Sequence, residues 1–302
     1  MDYKFYTTDV FTNKPFNGAR IPVFPEADGI NDNTMQLIAN ENNASDTVFV
    51  LNDEQPNTKR LRIFNASKKE VKPATHTLIA ASKVLTSLKM LPLDSQTPLY
   101  FKNNQQVCQV YVTNDGGEPG LIIQSQQTRA LIDHFVPTRE ELASMLSLIP
   151  ADIGFDQHQS LIVSCDVPYL IVPIKSYNAV RAARFDMNAW SHSSAPASIA
   201  HGILLFSNNT DNNEADFHAR LVGPDIATHE DPPVAPVMGH FANYLCQNPN
   251  TKPGTHIFSV QRGANDQRQS MLSIEMDNKE DSQLTVRIGG SAVITSVSTL
   301  LV

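Results

Sequence analysis

Asp46, His76 and Asp231 are the side chains whose types and settings best suit proton chemistry. Asp46 stands in Asn42-Asn43-Ala44-Ser45-Asp46-Thr47-Val48-Phe49-Val50, an acid between small hydroxyl residues, followed by an apolar β-branched run. That pattern puts a carboxylate on a turn entering a buried strand. Two further strings put an ionisable residue beside a helix start: Glu70-Val71-Lys72-Pro73-Ala74-Thr75-His76-Thr77-Leu78 and His229-Glu230-Asp231-Pro232-Pro233-Val234-Ala235-Pro236. A helix start offers unpaired N–H groups and the positive end of a dipole, which suit a substrate carboxylate. General acid–base chemistry beside such a carboxylate needs a base that can take a proton and return it elsewhere. Each residue also has a plainer use. Asp46 can hold a turn through side-chain to backbone hydrogen bonds, His76 can bond a neighbouring carbonyl, and Asp231 before two prolines can cap a loop.

The elements that must carry these residues follow from periodicity. The alternation in Lys4 to Phe11 predicts a strand that turns at Pro15 to Gly18 and resumes at Ile21 to Phe24. A helix is expected over Asp32 to Glu41, capped by Asn31 or Asn33, with Met35, Leu37 and Ile38 facing inward. Strands follow at Thr47 to Leu51 and Arg60 to Phe64. Thr75 then caps a helix of about twelve residues, on which Leu78, Ile79, Val84, Leu85 and Leu88 recur at helical spacing. Strands at Leu99 to Lys102, Val107 to Val112 and Leu121 to Gln124 come next, the last two parted by the Asp115-Gly116-Gly117 turn. In the second half a helix capped near Thr138 leads to strands at Ser160 to Ser164, Tyr169 to Ile174, Gly202 to Phe206 and Phe217 to Leu221. A helix beginning near Pro236 carries Val237, Phe241, Tyr244 and Leu245, and four strands close the chain between His256 and Ser296. In each half, a strand bearing an arginine (Arg62, Arg220) leads through a polar loop to a mostly apolar helix, which suggests a duplicated α+β lobe.

Bulk properties narrow the partners. A chain of 302 residues with 41% hydrophobic and 18% charged residues can bury a large core in two lobes. A net charge of −8 argues against nucleic acid or an anionic membrane as the partner. No apolar stretch is long enough to span a bilayer, and Met1-Asp2-Tyr3-Lys4-Phe5 lacks a signal-peptide pattern. Three cysteines, Cys108, Cys165 and Cys246, make no disulfide framework, so reduced thiols in a cytoplasmic protein are expected. Cys165 and Cys246 read as small core residues. The scattered histidines make no metal motif, and three consecutive residues, His229-Glu230-Asp231, rarely converge on one ion.

The three strings above, taken with Asp9-Val10-Phe11-Thr12, Pro15-Phe16-Asn17-Gly18 and the closing Val286-Arg287-Ile288-Gly289-Gly290, resemble the phenazine-biosynthesis PhzF-like family of isomerases. The resemblance runs nearly end to end. It implies an α+β fold of two similar lobes, each a mostly antiparallel sheet or barrel around a central helix, as in diaminopimelate epimerase. The lobes are expected at 1–127 and 128–302, the last strand packing back on the N-terminal lobe. The resemblance also implies a homodimer, a small carboxylated metabolite as substrate, and proton migration along a cyclic or unsaturated acid without metal or organic cofactor. Matching motif to motif, the catalytic roles fall on Asp46, His76 and Asp231, and Thr75, Thr77, Ala235 and Pro236 would line the substrate.

Several motif positions have changed. The family's first acid is a glutamate, and Asp46 is one methylene shorter. The usual Cys-Gly-His-Ala-Thr is Ala74-Thr75-His76-Thr77-Leu78, and Asp-Pro-x-Thr-Gly-Ser is Asp231-Pro232-Pro233-Val234-Ala235-Pro236. The second change removes two hydroxyls, and Pro236 removes an N–H donor. The helix starts carry Ala74 and Ala235, which argues against the paired-cysteine chemistry of related racemases. Three functions fit this remodelled site: a working isomerase in secondary metabolism such as antibiotic biosynthesis, a catalytically silent relative that binds a metabolite or partner, or an enzyme of changed reaction type that sequesters or condenses an amino-acid-derived intermediate. All three ionisable positions remain ionisable, which favours the isomerase.

Overall fold

The N-terminal alternation forms β1 (Asp2–Val10), which turns back into β2 (Ala19–Phe24). The turn closes on Gly18, whose φ of +66° suits glycine and where a Cβ would lie 2.1 Å from the Val10 carbonyl oxygen. The computed structural model describes residues 2–66, 69–193, 200–224, 226, 231–264, 267–279 and 283–301. The chain divides into two units, one of 1–126, 264–272 and 287–302, the other of 127–263 and 273–286. No helix among the described residues is long and apolar enough to cross a membrane.

In the first unit, α1 (Asp32–Asn42) is capped by Asn31, whose side chain accepts from the Thr34 N–H at 3.0 Å. Its buried residues are Met35, Ile38 and Ala39. Leu37, expected inward, is 66% exposed, because the i, i+3, i+4 face that starts at Met35 leaves it out. Then come β3 (Thr47–Asn52), β4 (Thr58–Asn65) and the short β5 (Lys69–Val71). After α2 (Thr75–Ser87) follow β6 (Leu99–Lys102), β7 (Val107–Asp115) and β8 (Glu118–Thr128). Gly116 and Gly117, both at positive φ, make the two-residue turn of the β7–β8 hairpin. The last strand, β17 (Ala292–Leu301), lies antiparallel to β1. From β1 the sheet runs antiparallel to β2, parallel to β3, antiparallel to β4 and parallel to β6.

α2 is the axis of this unit. Thr75 to Ser82 and Val84 to Thr86 are all buried, and it packs on β1, β2, β3, β7 and β17. A helix without a polar face belongs inside a fold. Its N-cap is Ala74 and not Thr75: the Thr77 hydroxyl accepts from the Ala74 N–H at 3.0 Å and donates to the Ala74 carbonyl at 2.8 Å, so Thr75 falls inside the first turn. The helix stops where Lys89 enters the left-handed region ahead of Pro92. Beside α1, the rings of Phe5, Phe24 and Phe49 stack at 4.9 Å spacings, and Phe64 meets Phe49 edge-on.

The second unit starts with β9 (Leu131–Asp133) and α3 (Arg139–Leu146), whose Thr138 cap forms a reciprocal box with Glu141. β10 (Leu161–Ser164), β11 (Pro168–Pro173), α4 (Tyr177–Ala182), α5 (Met187–Ser191), β12 (Gly202–Ser207) and β13 (Phe217–Val222) follow. A 3-10 turn at Ala235–Val237 leads into α6 (Met238–Leu245) and β14 (Gly254–Ala264), while β15 (Gln267–Asn278) and β16 (Leu284–Gly290) each contribute residues to both units. The expected helix start at Pro236 is thus a tight turn, and regular helix begins two residues later. Phe241 of α6 sits against Phe206 at 4.9 Å and Phe217 at 5.3 Å, so this helix too fills a core.

The two units repeat one topology. β2, β3, β4 and β6 pair parallel, antiparallel and parallel, with β5 and α2 between β4 and β6. β11, β12, β13 and β14 pair the same way, with α6 after β13. Arg62 on β4 faces Phe49, and Arg220 on β13 faces Leu205. The fold is the expected α+β arrangement of two similar lobes, each a mostly antiparallel sheet around a central helix.

Candidate active site

Asp46 is the last residue before β3, and its position is set by the buried run Val48 to Val50. His76 is the second residue of α2, fixed by the Thr77–Ala74 cap. These elements bring Asp46 Oδ2 to 2.6 Å from His76 Nε2. The imidazole is 4% exposed and the carboxylate 14%, so the pair is shielded but not sealed. When the carboxylate accepts from Nε2–H, Nδ1 is left as a lone pair. That atom is buried and has no hydrogen-bond partner among the described residues. A bare acceptor is cheaper to bury than an N–H, which favours this tautomer. Asp46 and His76, thirty residues apart, are the predicted catalytic residues that the structure joins.

The hydroxyls at the start of α2 are engaged by the protein. Thr75 donates to the amide oxygen of Gln124 on β8, and both are buried. Thr77 is occupied by the cap. In the second unit, Ala235 is buried and Pro236 exposed in the 3-10 turn before α6. His229 and Glu230 lie outside the described residues.

Asp231 belongs to the second unit and sits in an arginine clamp. One carboxylate oxygen accepts from Arg181 and the other from Arg220 Nε at 2.9 Å. Burial raises its pKa, but Arg181, with Arg220 and Arg262 behind it, more than reverses that and holds the carboxyl below its ordinary value. Arg220 also donates to the carbonyls of Val180, Arg181 and Ala183, closing the end of α4. The first unit repeats the device. Arg62 grips Glu70 at 2.9 and 2.7 Å and also meets Asp32. Glu70 precedes α2 as Asp231 precedes α6. By this internal comparison Asp231 and Glu70 hold equivalent positions in the two halves of the chain, each gripped by an arginine.

Asp9 carries a contact that sequence reading left without a role. It is almost fully buried at the end of β1 and accepts from Arg268 and from the Phe16 N–H at 2.6 Å. Arg268 also holds the Gly18 carbonyl at 3.2 Å, so this pair ties down the β1–β2 turn. Burial holds the Asp9 carboxyl above its ordinary value, although Arg268 opposes it. An acid closing an otherwise alternating strand was the available signal.

A family model described as phenazine biosynthesis-like protein matches residues 8–297. An uncharacterized isomerase of Mesorhizobium japonicum is 26% identical over 300 residues, covering 94% of each chain. An uncharacterized isomerase of Escherichia coli is 27% identical over 308 residues, covering 97% of each. Among solved structures, a PhzF-family phenazine biosynthesis protein of Bacillus anthracis superposes with a TM-score of 0.87 over 100% of both chains at 22% identity. A hydroxyproline epimerase of Agrobacterium vitis matches with a TM-score of 0.62 at 10% identity, covering 99% of this chain and 92% of that one. These structural likenesses speak to the fold. The family model spans nearly the whole chain, so the chain belongs to the phenazine biosynthesis-like family.

Proposed function

We propose that this protein is an isomerase that moves a proton along a small cyclic or unsaturated carboxylic acid, with Asp46 as the base. The observation that carries this reading is the 2.6 Å contact between Asp46 Oδ2 and His76 Nε2 at the first turn of a buried helix. His76 engages one carboxylate oxygen and leaves Oδ1 for the substrate. Oδ1 takes a proton from carbon, and the electron pair spreads through the double bonds toward the substrate carboxyl. The same oxygen returns the proton at a distal carbon, so atoms and electrons balance with no further reactant. His76 orients the carboxylate and moderates its charge as it changes. The first-turn N–H groups of α2 suit the substrate carboxyl. In this reading Asp231, clamped between Arg181 and Arg220, takes no proton itself. Family membership supports a setting in secondary metabolism, in the cytoplasm, and a homodimeric assembly.

The test is deuterium incorporation from heavy water into dihydroaryl and aryl carboxylates. Wild-type protein is expected to exchange a ring proton, and Asp46→Asn to lower the rate by about a hundredfold or more with unchanged melting. Normal exchange by that variant would end the assignment. Ligand-induced stabilisation without any exchange would instead support a silent binding protein, a reading favoured by the engaged hydroxyls of Thr75 and Thr77 and by the clamped Asp231.

A further inference from the structure

A hollow of about 490 Å³ lies wholly within the second unit, at the C-terminal end of α6, and the proposed isomerisation leaves it unused. Its volume is that of a small-molecule site. Leu161 and Tyr244, both almost fully buried, form the floor. The Tyr244 hydroxyl donates to the Gln159 carbonyl at 2.8 Å, which fixes the ring. His158 forms one wall. Its backbone N–H donates to the Phe155 carbonyl at 3.0 Å, across a tight turn in which Asp156 takes a φ of +48°. The imidazole lies near-parallel to the Tyr244 ring, with centroids 5.9 Å apart, and edge-on to Phe206 at 5.5 Å. These contacts make it a fixed, half-buried aromatic plate.

Carboxamides dominate the rest of the lining. Gln157, Gln159, Gln247 and Asn248 all border the hollow, and each carries two donors and an acceptor on one planar fork. The side-chain amides of Gln159 and Gln247 are exposed and make no hydrogen bond among the described residues. Asn248 Nδ2 lies 3.5 Å from both ring nitrogens of His158, so it bonds neither well and keeps its donors. Charge narrows the choice of ligand. Asp156 borders the hollow, α6 ends there with the negative end of its dipole, and no lysine or arginine is among the described lining residues. Burial also holds His158 below its ordinary value of 6.5, although Asp156 opposes this, so the plate is uncharged at neutral pH. An anion finds no partner in such a lining.

We infer that this hollow binds an uncharged heterocycle of the adenine kind, as free base or nucleoside, against the His158 ring. Every nucleobase has a flat π-face that stacks on aromatic side chains. The exocyclic amine and adjacent ring nitrogen of adenine match the acceptor and donor of one carboxamide, which holds them as a pair. Four carboxamides supply that fork, and none has a cation beside it. The phosphates of a nucleotide therefore gain nothing here and meet Asp156 instead.

The test is titration calorimetry of the whole protein with adenine, adenosine and ATP. Adenine or adenosine is expected to bind saturably with a Kd of about 1 mM or tighter, the tighter of the two marking free base or nucleoside as the ligand. ATP is expected to bind about tenfold or more weakly than adenosine. Gln247→Leu, at an exposed side chain tolerant of change, should weaken the better probe by about tenfold with unchanged melting. His158→Ala removes the plate and should weaken it by about tenfold or more; Gln247→Leu decides the matter if that variant melts early. No saturable binding of adenine or adenosine, ATP binding as tightly as adenosine, or an unaltered affinity in Gln247→Leu would overturn the proposal.

Discussion

Replacing Asp231 by asparagine keeps the side chain's shape and removes one negative charge from between two guanidinium groups. The carboxylate is 10% exposed, with Arg181 at 20% and Arg220 at 14%. Removing one partner from a buried ion pair costs about 3–5 kcal/mol, and the residual solvent contact here places the loss near about 3 kcal/mol. The Glu70–Arg62 pair has the same design but more water around it, with side chains 45% and 24% exposed. Glu70→Gln should therefore cost about 1 kcal/mol or less. Urea unfolding measures both, read as midpoint shifts at constant slope. Amide exchange across Tyr177–Ala182 should quicken in Asp231→Asn alone, because Arg220 loses its anchor and releases the carbonyls at the end of α4. The carboxyl is held below its ordinary value, so the clamp contributes fully above that ordinary value and is lost as pH falls through the depressed one. At temperatures where Asp231→Asn stays folded, isomerase activity should persist. A variant as stable as the parent that had lost proton exchange would refute the clamp and return Asp231 to the chemistry.

Two further predictions concern stability. His218 is fully buried on β13, its ring nitrogens lack partners among the described residues, and burial with Arg181 nearby pulls its pKa from 6.5 to about 4. Its stabilising contribution is present above pH 6.5 and is lost as pH falls toward 4, by up to about 3 kcal/mol; His218→Phe should flatten that part of the urea-midpoint profile. Thr77→Val deletes the hydroxyl that closes the start of α2 on Ala74, with an expected loss of about 1 kcal/mol in urea unfolding and a looser Asp46–His76 contact, read as a lower exchange rate.

What could be read ahead of the fold was what is local. Caps at Asn31 and Thr138, the glycine turn at Gly116-Gly117 and the apolar runs of α2 and α6 each sit within a few residues of the pattern that announces them. Asp46 and His76 were legible because each lies in its own distinctive string, although thirty residues separate them. β5 and β9, at three residues each, and α4 and α5, at six and five, are too short for either periodicity to emerge. The clamp on Asp231 needs Arg181, fifty residues upstream, and Asp9 needs Arg268 from the far end of the sequence. Sheet pairing across such separations decides those contacts, and no short window contains both partners. Cys165 reads as a small core residue by type, yet it lies half-buried in the turn between β10 and β11.

β1 is hydrogen-bonded along its whole length to β17, from Asp2 opposite Leu301 to Val10 opposite Ala292. A ribosome delivers β17 long after β1. Until β17 has emerged, one flank of the first strand stays open, and the sheet around α2 must wait with an unsatisfied edge. Such an edge readily recruits strands from neighbouring nascent chains. A reading frame interrupted just before Ala292 would still encode Asp46 and His76, yet its product would be destined for chaperones or inclusion bodies.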